Sequence, residues 1–421
     1  MNLDQWVDDL FEAQTTFLSS LVATKSTRGL EETAQKMMHE AMQKDAQQVD
    51  VLPIELNNIS HLRGFSPATV SYDGMFNRIG HYGNQTGKGR SLIFNGHIDV
   101  VPEGPLAGWS VDPYGGEVKQ GKLYGRGSSD MKAGLVASLY ALRAIHAAGM
   151  QPDAPVYLQS VVEEECTGNG ALACLAAGYQ ADAVIIGEPF NEVLVTEQLG
   201  VIWFQIKLKG LPVHAEQATA GVNAIEAMLP VIAAYRQLEE KWNAQKHSHA
   251  AYAKHSHPIN LNVAQFNAGD WTSSVPSWAV LNLRIAMYPG DDLSARQTEI
   301  AAVLQQLEKD NDLVGRAQPE LSYHGFLAEG YRLPRHTDAE KVLAAAHQLV
   351  FNDSLKKGPI TATTDARFYG LYQQTPTLVY GPKGQGYHGF DEYVELASLR
   401  NITKVYARFI ENWCGLTPRS Q

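Results

Sequence analysis

The sequence predicts an α/β protein that carries an inserted α+β module. Apolar runs of strand length alternate with amphipathic helical segments in the first half of the chain, which indicates a largely parallel sheet covered by helices. Near residue 200 the order changes to strand, helix, two strands and helix, and α/β texture returns afterwards. We therefore expect residues 1–199 and 322–421 to form one domain and residues 200–321 to form the inserted one.

The elements of the first domain follow from hydrophobic periodicity. The acidic amphipathic segment MNLDQWVDDLFEAQTTFLSSL at the start predicts a helix. Strands are expected within SLIFNGHIDVV (91–101), VYLQSVV (156–162) and ADAVIIGEP (181–189). MKAGLVASLYALRAIHAAG (131–149) has apolar residues at helical spacing and ends in glycine, which predicts a helix that stops there.

The inserted module shows a different order of elements. An alternating strand, GVIWFQIKLKG (200–210), precedes a long helix in GVNAIEAMLPVIAAYRQLEEKW (221–242). Strands are then expected at INLNVAQFNAG (259–269) and WAVLNLRIAMYP (278–289), followed by a helix in ARQTEIAAVLQQLEKD (295–310). After the module, EKVLAAAHQLVF predicts a helix, TPTLVYG a strand, and the chain ends in a helical pattern.

Composition and charge exclude several classes of partner. A net charge of -11 argues against nucleic acids and anionic membranes, since both require a basic face. No apolar run approaches the about 20 residues that span a bilayer, and the N-terminus has no basic or apolar region of an export signal. Three cysteines, Cys166, Cys174 and Cys414, cannot form a disulfide framework. We expect a cytoplasmic protein.

Acidic residues and one histidine follow the predicted strands of the first domain. His97 and Asp99 end one strand, Glu163–Glu165 follow the next, and Glu188 follows a third, with Asp130 at a predicted helix start. Because ligands of open α/β sheets bind at the carboxyl ends of the strands, we expect these side chains to converge. Buried carboxylates are costly unless compensated, and two divalent cations would neutralise this set.

Each of these features has an alternative interpretation when it is taken alone. His97 and Asp99 share one face of an extended segment, so Asp99 could accept the second ring N–H of a metal-binding His97, or His97 could make an ordinary hydrogen bond. Asp130, in GRGSSDMKAG, could bind metal or cap the helix. The same stretch lacks the third glycine of a dinucleotide-binding loop, and GNQTGKGR (83–90) lacks the Ser/Thr of a P-loop.

The acidic triplet in VVEEEC suggests a division of roles. Neighbouring residues of an extended segment point in opposite directions, so Glu164 and Glu165 can approach a metal pair differently. One would be a ligand and the other a general base beside a metal-activated water. A solvated acidic loop is the alternative. Thiol catalysis by Cys166 is disfavoured because neighbouring carboxylates raise a thiol pKa.

Histidines elsewhere in the sequence provide one further candidate metal ligand and one histidine-rich stretch that we do not expect to bind metal. His388, in the glycine-rich GQGYHGFDE (384–392) after a predicted strand, would close a two-metal site as its fifth ligand. The stretch KHSHAAYAKHSHP could bind a transition metal, but it lies inside the inserted module without carboxylate partners. We interpret it as a solvated connection; its histidines are His247, His249, His255 and His257.

Five motifs in order resemble a known family. GHIDVVP, GRGSSDMKAG, EEECTGNG, GEP and GYHGFDEYV resemble the co-catalytic di-zinc amidohydrolases that include acetylornithine deacetylase, succinyl-diaminopimelate desuccinylase, aminoacylases and carboxypeptidase G. The resemblance covers nearly the whole chain. It implies a zinc-exopeptidase-like catalytic domain with an inserted ferredoxin-like dimerisation domain, and hence a homodimer.

The resemblance also implies roles for individual residues. His97 and Glu188 would bind one zinc, Glu165 and His388 the other, and Asp130 would bridge them. Asp99 would orient His97, and Glu164 would be the general base and acid. Glu163 stands where relatives often carry aspartate and is not expected to be a ligand. The remaining implied roles belong to His214, supplied to the partner's active site, and to Arg284 and Arg367, which would hold a substrate carboxylate.

The implied reaction is hydrolysis of a small amide. We expect a deacylase that acts on an N-acylated amino acid with two Zn²⁺ per subunit, for which Co²⁺ could substitute. Glu216 and Gln217 replace small residues found in many relatives, which affects substrate preference. Alternatives are a dipeptidase or carboxypeptidase with the same metals, an N-formyl-aminopyrimidine deformylase, or a non-catalytic small-molecule binder. An intact base, Glu164, disfavours the binder.

Overall fold

The computed structural model describes residues 2–419. Its helices are α1 (Leu3–Ala23), α2 (Glu32–Gln43), α3 (Leu56–Ile59), α4 (Lys132–Ala147), α5 (Asn169–Ala176), α6 (Ala224–Asn243), α7 (Leu293–Asp310), α8 (Asp312–Arg316), α9 (Asp338–Phe351) and α10 (Leu396–Cys414). Its strands are β1 (Gln48–Pro53), β2 (Phe76–Tyr82), β3 (Leu92–His97), β4 (Val118–Lys119), β5 (Lys122–Tyr124), β6 (Met150–Pro152), β7 (Val156–Val161), β8 (Ala183–Ile186), β9 (Leu194–Gln198), β10 (Gly200–Lys209), β11 (Leu261–Ala268), β12 (Trp278–Met287), β13 (Glu320–Ala328), β14 (Tyr331–Arg332), β15 (Lys357–Ile360), β16 (Thr377–Val379), β17 (Gly384–Gln385), β18 (Tyr393–Glu395) and β19 (Leu416–Pro418).

A nine-stranded sheet forms the larger part of the fold. Its strand order is β1-β2-β7-β3-β8-β16-β9-β14, and β15 also pairs with β9. The four central strands, β7, β3, β8 and β16, are parallel, whereas β2 and β9 flank them in antiparallel orientation. The carboxyl ends of the four parallel strands therefore meet at one edge, as the alternation of strands and helices predicts.

Helix α4 packs at the centre of the larger unit. It contacts α1 and α10 on one side and β3 on the other, and an apolar sequence on all sides is expected for a helix buried in this way. At its first turn α4 lies against the end of β8. A Cβ atom added to Gly134 would be 2.0 Å from the carbonyl oxygen of Gly187, so glycine is required for this contact.

A second, four-stranded sheet carries its own hydrophobic core. Its order is β11-β12-β10-β13, all antiparallel, and α6 and α7 supply apolar side chains to the same core. In β12 the residues facing this core alternate with polar ones, as expected for a half-buried sheet. The α/β fold with an inserted α+β unit is thus confirmed.

The inserted sheet extends past the expected end of the module. Strand β13 continues to Ala328 and pairs with β10, although the sequence suggested a boundary at 321. The pairing shifts opposite Ile202 and Phe204, and Gly325 in β13 has φ of +68°. A glycine bulge of this kind interrupts the alternation that marks a strand. The division into two domains otherwise stays a prediction.

Two sequence expectations concern membranes and cysteines. None of the helices within residues 2–419 combines the length and the hydropathy needed to cross a membrane. Cys166, Cys174 and Cys414 are all free thiols, and Cys174 and Cys414 are buried.

Candidate active site

The predicted ligands meet at the carboxyl ends of the parallel strands. His97 is the last residue of β3 and Glu188 follows β8 closely. Glu163–Glu165 follow β7, which lies next to β3 in the sheet. Asp130 comes from the loop between β5 and α4, and His388 from the loop between β17 and β18. Neighbouring strand ends and two long loops therefore converge on one position.

Asp130 lies between two histidines. Its Oδ1 is 3.2 Å from His97 Nε2, and its Oδ2 is 3.5 Å from His388 Nε2. His388 Nε2 is also 3.0 Å from Glu165 Oε2. The helix that follows begins at Lys132 and has no side-chain cap hydrogen bond, so Asp130 faces this cluster instead of capping α4.

His97 presents one ring nitrogen to the cluster and uses the other for orientation. Its Nδ1 is 2.8 Å from the main-chain carbonyl oxygen of Asp99, which can only accept, so Nδ1 carries a proton. Its Nε2 lies 3.7 Å from Glu188 Oε1 and 3.8 Å from Glu164 Oε2. In the neutral ring Nε2 is therefore the lone-pair nitrogen. Burial lowers the pKa of His97, but the hydrogen bond to Asp130 and the nearby carboxylates outweigh burial and raise this pKa well above its usual value, so without a metal Nε2 also carries a proton and donates to Asp130.

Contrary to the prediction from the sequence, the carboxylate of Asp99 does not bind the ring of His97 but binds backbone N–H groups. We expected it to accept the second ring N–H of His97, but its Oδ1 is 3.7 Å from Nδ1 and the main-chain carbonyl takes that bond. The carboxylate instead accepts the backbone N–H groups of Glu164 and Glu165, at 3.4 and 3.1 Å. Asp99 thus connects His97 to the turn that carries both glutamates.

The three consecutive carboxylates of Glu163–Glu165 are tolerated because they face different partners. The Glu163 side chain is fully buried and forms a two-point ion pair with Arg28, at 2.5 and 2.7 Å. It also accepts hydrogen bonds from Tyr72 and Thr167. Glu163 is therefore neutralised behind the turn, while the next two glutamates face the histidines.

Burial without enough positive charge shifts the pKa values of the cluster. Burial raises the pKa of Glu164 and of Glu188 well above the usual range, and nearby His97 only partly opposes this. Burial also acts on Asp130, but hydrogen bonds from His388 and His97 outweigh it and lower its pKa. The charge of Glu165 is the main cause that raises the pKa of His388 to about 11.

These observations test whether metal ions fit the site. Ligand atoms of two groups, His97–Glu164–Glu188 and His97–Asp130–Glu165, lie within 4.8 Å of one another. Imidazole nitrogens and carboxylate oxygens are the donors that Zn²⁺ accepts in catalytic sites. The buried carboxylates of the cluster outnumber its positively charged side chains, which indicates that bound cations balance the remaining negative charge. The residues present therefore fit a divalent metal centre.

His214 lies outside the cluster. It follows β10 in the inserted unit, pairs with Ser274 in an isolated bridge, and has 70% of its side chain exposed. Its Nδ1 accepts the backbone N–H of Glu216 at 3.2 Å. Within residues 2–419 its recorded contacts are local, so this chain does not bring its own His214 to the metal ligands.

The two predicted substrate-binding arginines are placed differently from each other. Arg367 is buried, and its guanidinium donates to the carbonyl oxygens of Gly64 and Thr167, at 3.3 and 2.8 Å. The guanidinium of Arg367 therefore binds backbone carbonyl groups of its own chain. Arg284 lies on β12, opposite Trp203 of β10, on the face of the small sheet away from its core. Burial lowers its pKa, and no charged neighbour contributes.

The histidine-rich stretch forms local contacts. His249 stacks on Tyr288 with ring centroids 3.9 Å apart, and His257 Nε2 is 3.0 Å from Glu239 Oε1. Among the described residues, the groups able to hold a metal lie at the strand ends and include none of these histidines. The expectation that these histidines lack a carboxylate partner is wrong for His257, which contacts Glu239, but the local contacts agree with a connecting segment.

Three residues at the site were not predicted from the sequence. Glu392 and Arg126 form a buried ion pair beside Asp130, at 2.6 Å. Asp365 is buried near Glu164, its Oδ2 has no hydrogen-bond partner among the described residues, and burial raises its pKa to about 7. No periodicity marks these positions. The one available clue was that Glu392 falls within the same glycine-rich stretch as His388.

Comparison with known proteins decides the family. The sequence profile of peptidase family M20/M25/M40 matches residues 93–412. The chain belongs to this family. An N-formyl-4-amino-5-aminomethyl-2-methylpyrimidine deformylase from Halalkalibacterium halodurans is 29% identical over 346 residues, covering 78% of this chain and 80% of that protein. A succinyl-diaminopimelate desuccinylase from Rhodospirillum centenum is 28% identical over 84% of this chain and 88% of that one.

Solved structures of other proteins share the fold of this chain. Human carnosine dipeptidase 1 superposes with a TM-score of 0.76 at 14% identity, covering 98% of this chain and 99% of that one. The di-peptidase Dug1p from Saccharomyces cerevisiae gives a TM-score of 0.75 at 15% identity, with coverages of 99% and 98%. Membership of the M20 family makes this chain a metal-dependent hydrolase of C–N bonds in linear amides, as the sequence predicted.

Proposed function

We propose that this M20 protein removes the acyl group from an N-acylated amino acid or a similar small amide, with two Zn²⁺ ions in each subunit. The observation that carries the proposal is the placement of Asp130, whose two oxygens face His97 and His388. A carboxylate shared between two nitrogen ligands suits a pair of metals. Buried acids around it supply the remaining ligands.

The proposed ligands divide into two sets with Asp130 common to both. His97 and Glu188 would hold one ion, and Glu165 and His388 the other. When bound, these ions would polarise the amide carbonyl group and make a water molecule more acidic. Co²⁺ accepts the same nitrogen and oxygen donors and is expected to substitute.

Glu164 is the proposed general base. Its carboxylate is 3.8 Å from His97 Nε2, and burial raises its pKa, so it binds a proton more strongly than an exposed glutamate does. It would take a proton from the attacking water and return it to the amine nitrogen as the C–N bond breaks. Carboxylate and free amine would be the products.

The inserted unit is proposed to complete the site in a homodimer. Support comes from His214, which is 70% exposed and whose ring contacts Glu216 of its own chain. Supplied by the partner subunit, its imidazole would stabilise the negative charge that develops on the carbonyl oxygen. Arg284 forms no salt bridge within residues 2–419, and burial lowers its pKa. It is the better candidate for a substrate carboxylate, because Arg367 already donates to backbone carbonyls.

A second candidate function is hydrolysis of a formylated aminopyrimidine. Two deformylases of that compound are similar to this chain, at 29% and 28% identity. Dipeptidase or carboxypeptidase activity has weaker support, because the peptidases among the solved structures are similar in fold only. A non-catalytic binder is disfavoured by the buried Glu164 beside the metal ligands.

A substrate panel with controlled metal content tests the proposal. Metal-free protein is loaded with zinc or cobalt and assayed on N-acetyl, N-succinyl and N-formyl amines and on dipeptides. We expect metal-dependent release of free amine from one acyl class, and none with Glu164→Gln. If only dipeptides were cleaved, the protein would be a peptidase and the proposed deacylation would be wrong. No turnover of any amide, with tight binding of one, would support the binder.

A further inference from the structure

Glu392 is a buried acid whose carboxylate is fully occupied by donors. Its side chain is 0% exposed, and that of its partner Arg126 is 2% exposed. Oε2 accepts from the Arg126 guanidinium and from one backbone N–H, and Oε1 accepts from two further backbone N–H groups. The four donors, with their distances, are Arg126 at 2.6 Å and the N–H groups of Gly127, Ser129 and Asp130, each at 3.0 Å.

The donors all belong to the segment that ends in a proposed metal ligand. We call residues 125–130 the Asp130 loop. Because Asp130 itself donates its backbone N–H to Glu392, the position of its main chain is fixed by that carboxylate. Charge-assisted hydrogen bonds to a buried carboxylate are shorter and stronger than neutral ones, so this contact is a rigid one.

The same ion pair reaches the segment that carries the second histidine. We call residues 386–392 the His388 loop. Arg126 donates its other guanidinium nitrogen to the carbonyl oxygen of Gly389 at 2.7 Å, next in sequence to His388. The main-chain carbonyl of Glu392 also accepts the N–H of Gly125 at 2.9 Å. The Arg126–Glu392 ion pair thus connects the two loops, because each of its residues contacts the other loop.

We propose that Glu392 is a positioning residue that, with Arg126, holds the Asp130 loop and the His388 loop at a fixed separation. This arrangement lets Asp130 face His97 and His388 at the same time. The inference rests on the proposed function, in which those residues hold metal. The ion near His388 would take two ligands from these loops, Asp130 and His388, whereas the ion near His97 would take only Asp130. Loss of the Glu392 carboxylate should therefore weaken the ion near His388 more than the ion near His97.

Zinc affinity measured by competition with a chromophoric chelator tests this inference on the full-length protein. Glu392→Gln keeps the size of the side chain but leaves one acceptor oxygen for four donors. Glu392→Asp keeps the charge but withdraws the carboxylate by one methylene. For both variants we expect one zinc per chain to bind about 10-fold or more weakly, as for other residues that orient metal ligands. The other zinc, which would take only Asp130 from the two loops, should weaken by a clearly smaller factor.

A matched control separates positioning from general loss of stability. Asp45→Asn breaks a partly buried ion pair with Arg143, at 2.7 Å, in the same unit but between α4 and the turn that follows α2. Melting temperatures of the metal-free proteins are compared in parallel. If Asp45→Asn weakens zinc binding as much as Glu392→Gln does at equal loss of melting temperature, the positioning role is overturned.

A double variant identifies the ion through which Glu392 acts. In a His388→Ala background, adding Glu392→Gln should weaken the remaining zinc by clearly less than Glu392→Gln alone weakens the ion near His388, because only Asp130 links the remaining ion to the two loops. A large additional loss would contradict the inference. If Glu392→Gln does not fold, Glu392→Asp decides.

The outcomes for the two proposals are distinguishable. Wild-type protein that binds no zinc at all would remove the metal assignment of the proposed function, and with it this inference. Wild-type protein that binds two zinc ions, together with Glu392 variants that bind both ions equally well, would overturn the positioning role alone.

Discussion

Asp130 is central at the scale of single residues because its two oxygens face different histidines. The neighbouring acids are distinguished by their partners and not by their chemistry. Glu163 is neutralised by Arg28, Glu165 faces His388, and Glu164 is left near His97 with a pKa that burial raises. Three identical side chains in sequence thereby acquire three different roles in the proposed mechanism.

Replacing Glu164 should abolish turnover while metal binding persists. Glu164→Gln keeps the volume and removes the proton acceptor, so kcat should fall by about 10²–10⁴-fold, the usual contribution of a general base. Zinc content is measured by atomic analysis on the same sample. Glu12→Gln, an exposed change on α1, is the control and should leave both values unchanged. Near-normal kcat in Glu164→Gln would remove Glu164 from the mechanism.

Three of the proposed ligand positions, His97, Glu165 and Glu188, could be predicted from the sequence because each lies at the end of an apolar run that forms a parallel strand. His97 and Glu188 are examples, since the fold brings neighbouring strand ends together. The supporting residues could not be predicted. Glu392 and Arg126 are 266 positions apart, and Arg28 and Glu163 are 135 apart. Pairing over such separations is decided by tertiary packing, which leaves no periodic pattern.

At the scale of elements, the site depends on how closely α4 packs against the end of β8. Gly134 in the first turn of α4 contacts Gly187, which directly precedes the proposed ligand Glu188. The helix boundaries were predicted well from apolar spacing. The close contact was not, because a glycine inside a helical pattern does not show which element lies against it.

Adding one methyl group at this contact should disturb both stability and metal binding. Gly134→Ala places a Cβ 2.0 Å from the Gly187 carbonyl oxygen, so backbone must shift. We expect the free energy of unfolding to fall by about 1–3 kcal/mol, as in other overpacked cores, and zinc affinity to weaken through Glu188. Urea unfolding and zinc titration measure the two effects. Gly358→Ala, which meets open space, is the control; equal behaviour of the two variants would contradict this account.

The last turn of α4 should contribute to acid sensitivity. Burial, aided by the charge of Arg419, lowers the pKa of His146 to about 4. In the unfolded chain its pKa is about 6.5, so between these values the unfolded state binds the proton that the folded state does not. The contribution of the neutral His146 ring to the free energy of unfolding is complete above pH 6.5 and is lost as the pH falls toward 4.

A variant without the titrating ring isolates this effect. Between pH 7 and pH 5, we expect wild type to lose about 1–2 kcal/mol more unfolding free energy than His146→Gln does. Urea unfolding at the two pH values measures the difference, with His61→Gln as an exposed control. Identical pH dependence in wild type and His146→Gln would show that this ring does not titrate as described.

At the scale of the whole molecule, the chain holds two large hydrophobic cores, one in each unit. The cluster lies on the larger unit, whereas His214 and Arg284 lie on the inserted one. Residues on different units can act together only through the arrangement of the units or through a second subunit. The sequence predicted an inserted α+β unit, and β13 of its sheet continues past residue 321, where Gly325 interrupts the alternating pattern of the strand.

Mixed dimers test whether His214 acts in the partner's site. His214→Ala and Glu164→Ala should each be inactive as homodimers. Co-expressed in equal amounts, they should recover roughly one quarter of wild-type activity, because half of the dimers of a two-fold assembly would be mixed and each would have one complete site. Activity and sedimentation are measured on the same preparation. A monomer, or a mixture as inactive as its parents, would refute the shared site.

The central claim is that buried carboxylates crowd together at the strand ends because two divalent cations lie among them. Crystals of zinc-loaded protein, measured on both sides of the zinc absorption edge, locate those ions without any assumption about activity. We predict two anomalous peaks in each subunit, one on either side of the Asp130 carboxylate, near His97 and near His388. Zinc-loaded crystals with no peak beside Asp130, or with peaks only elsewhere, would contradict the account.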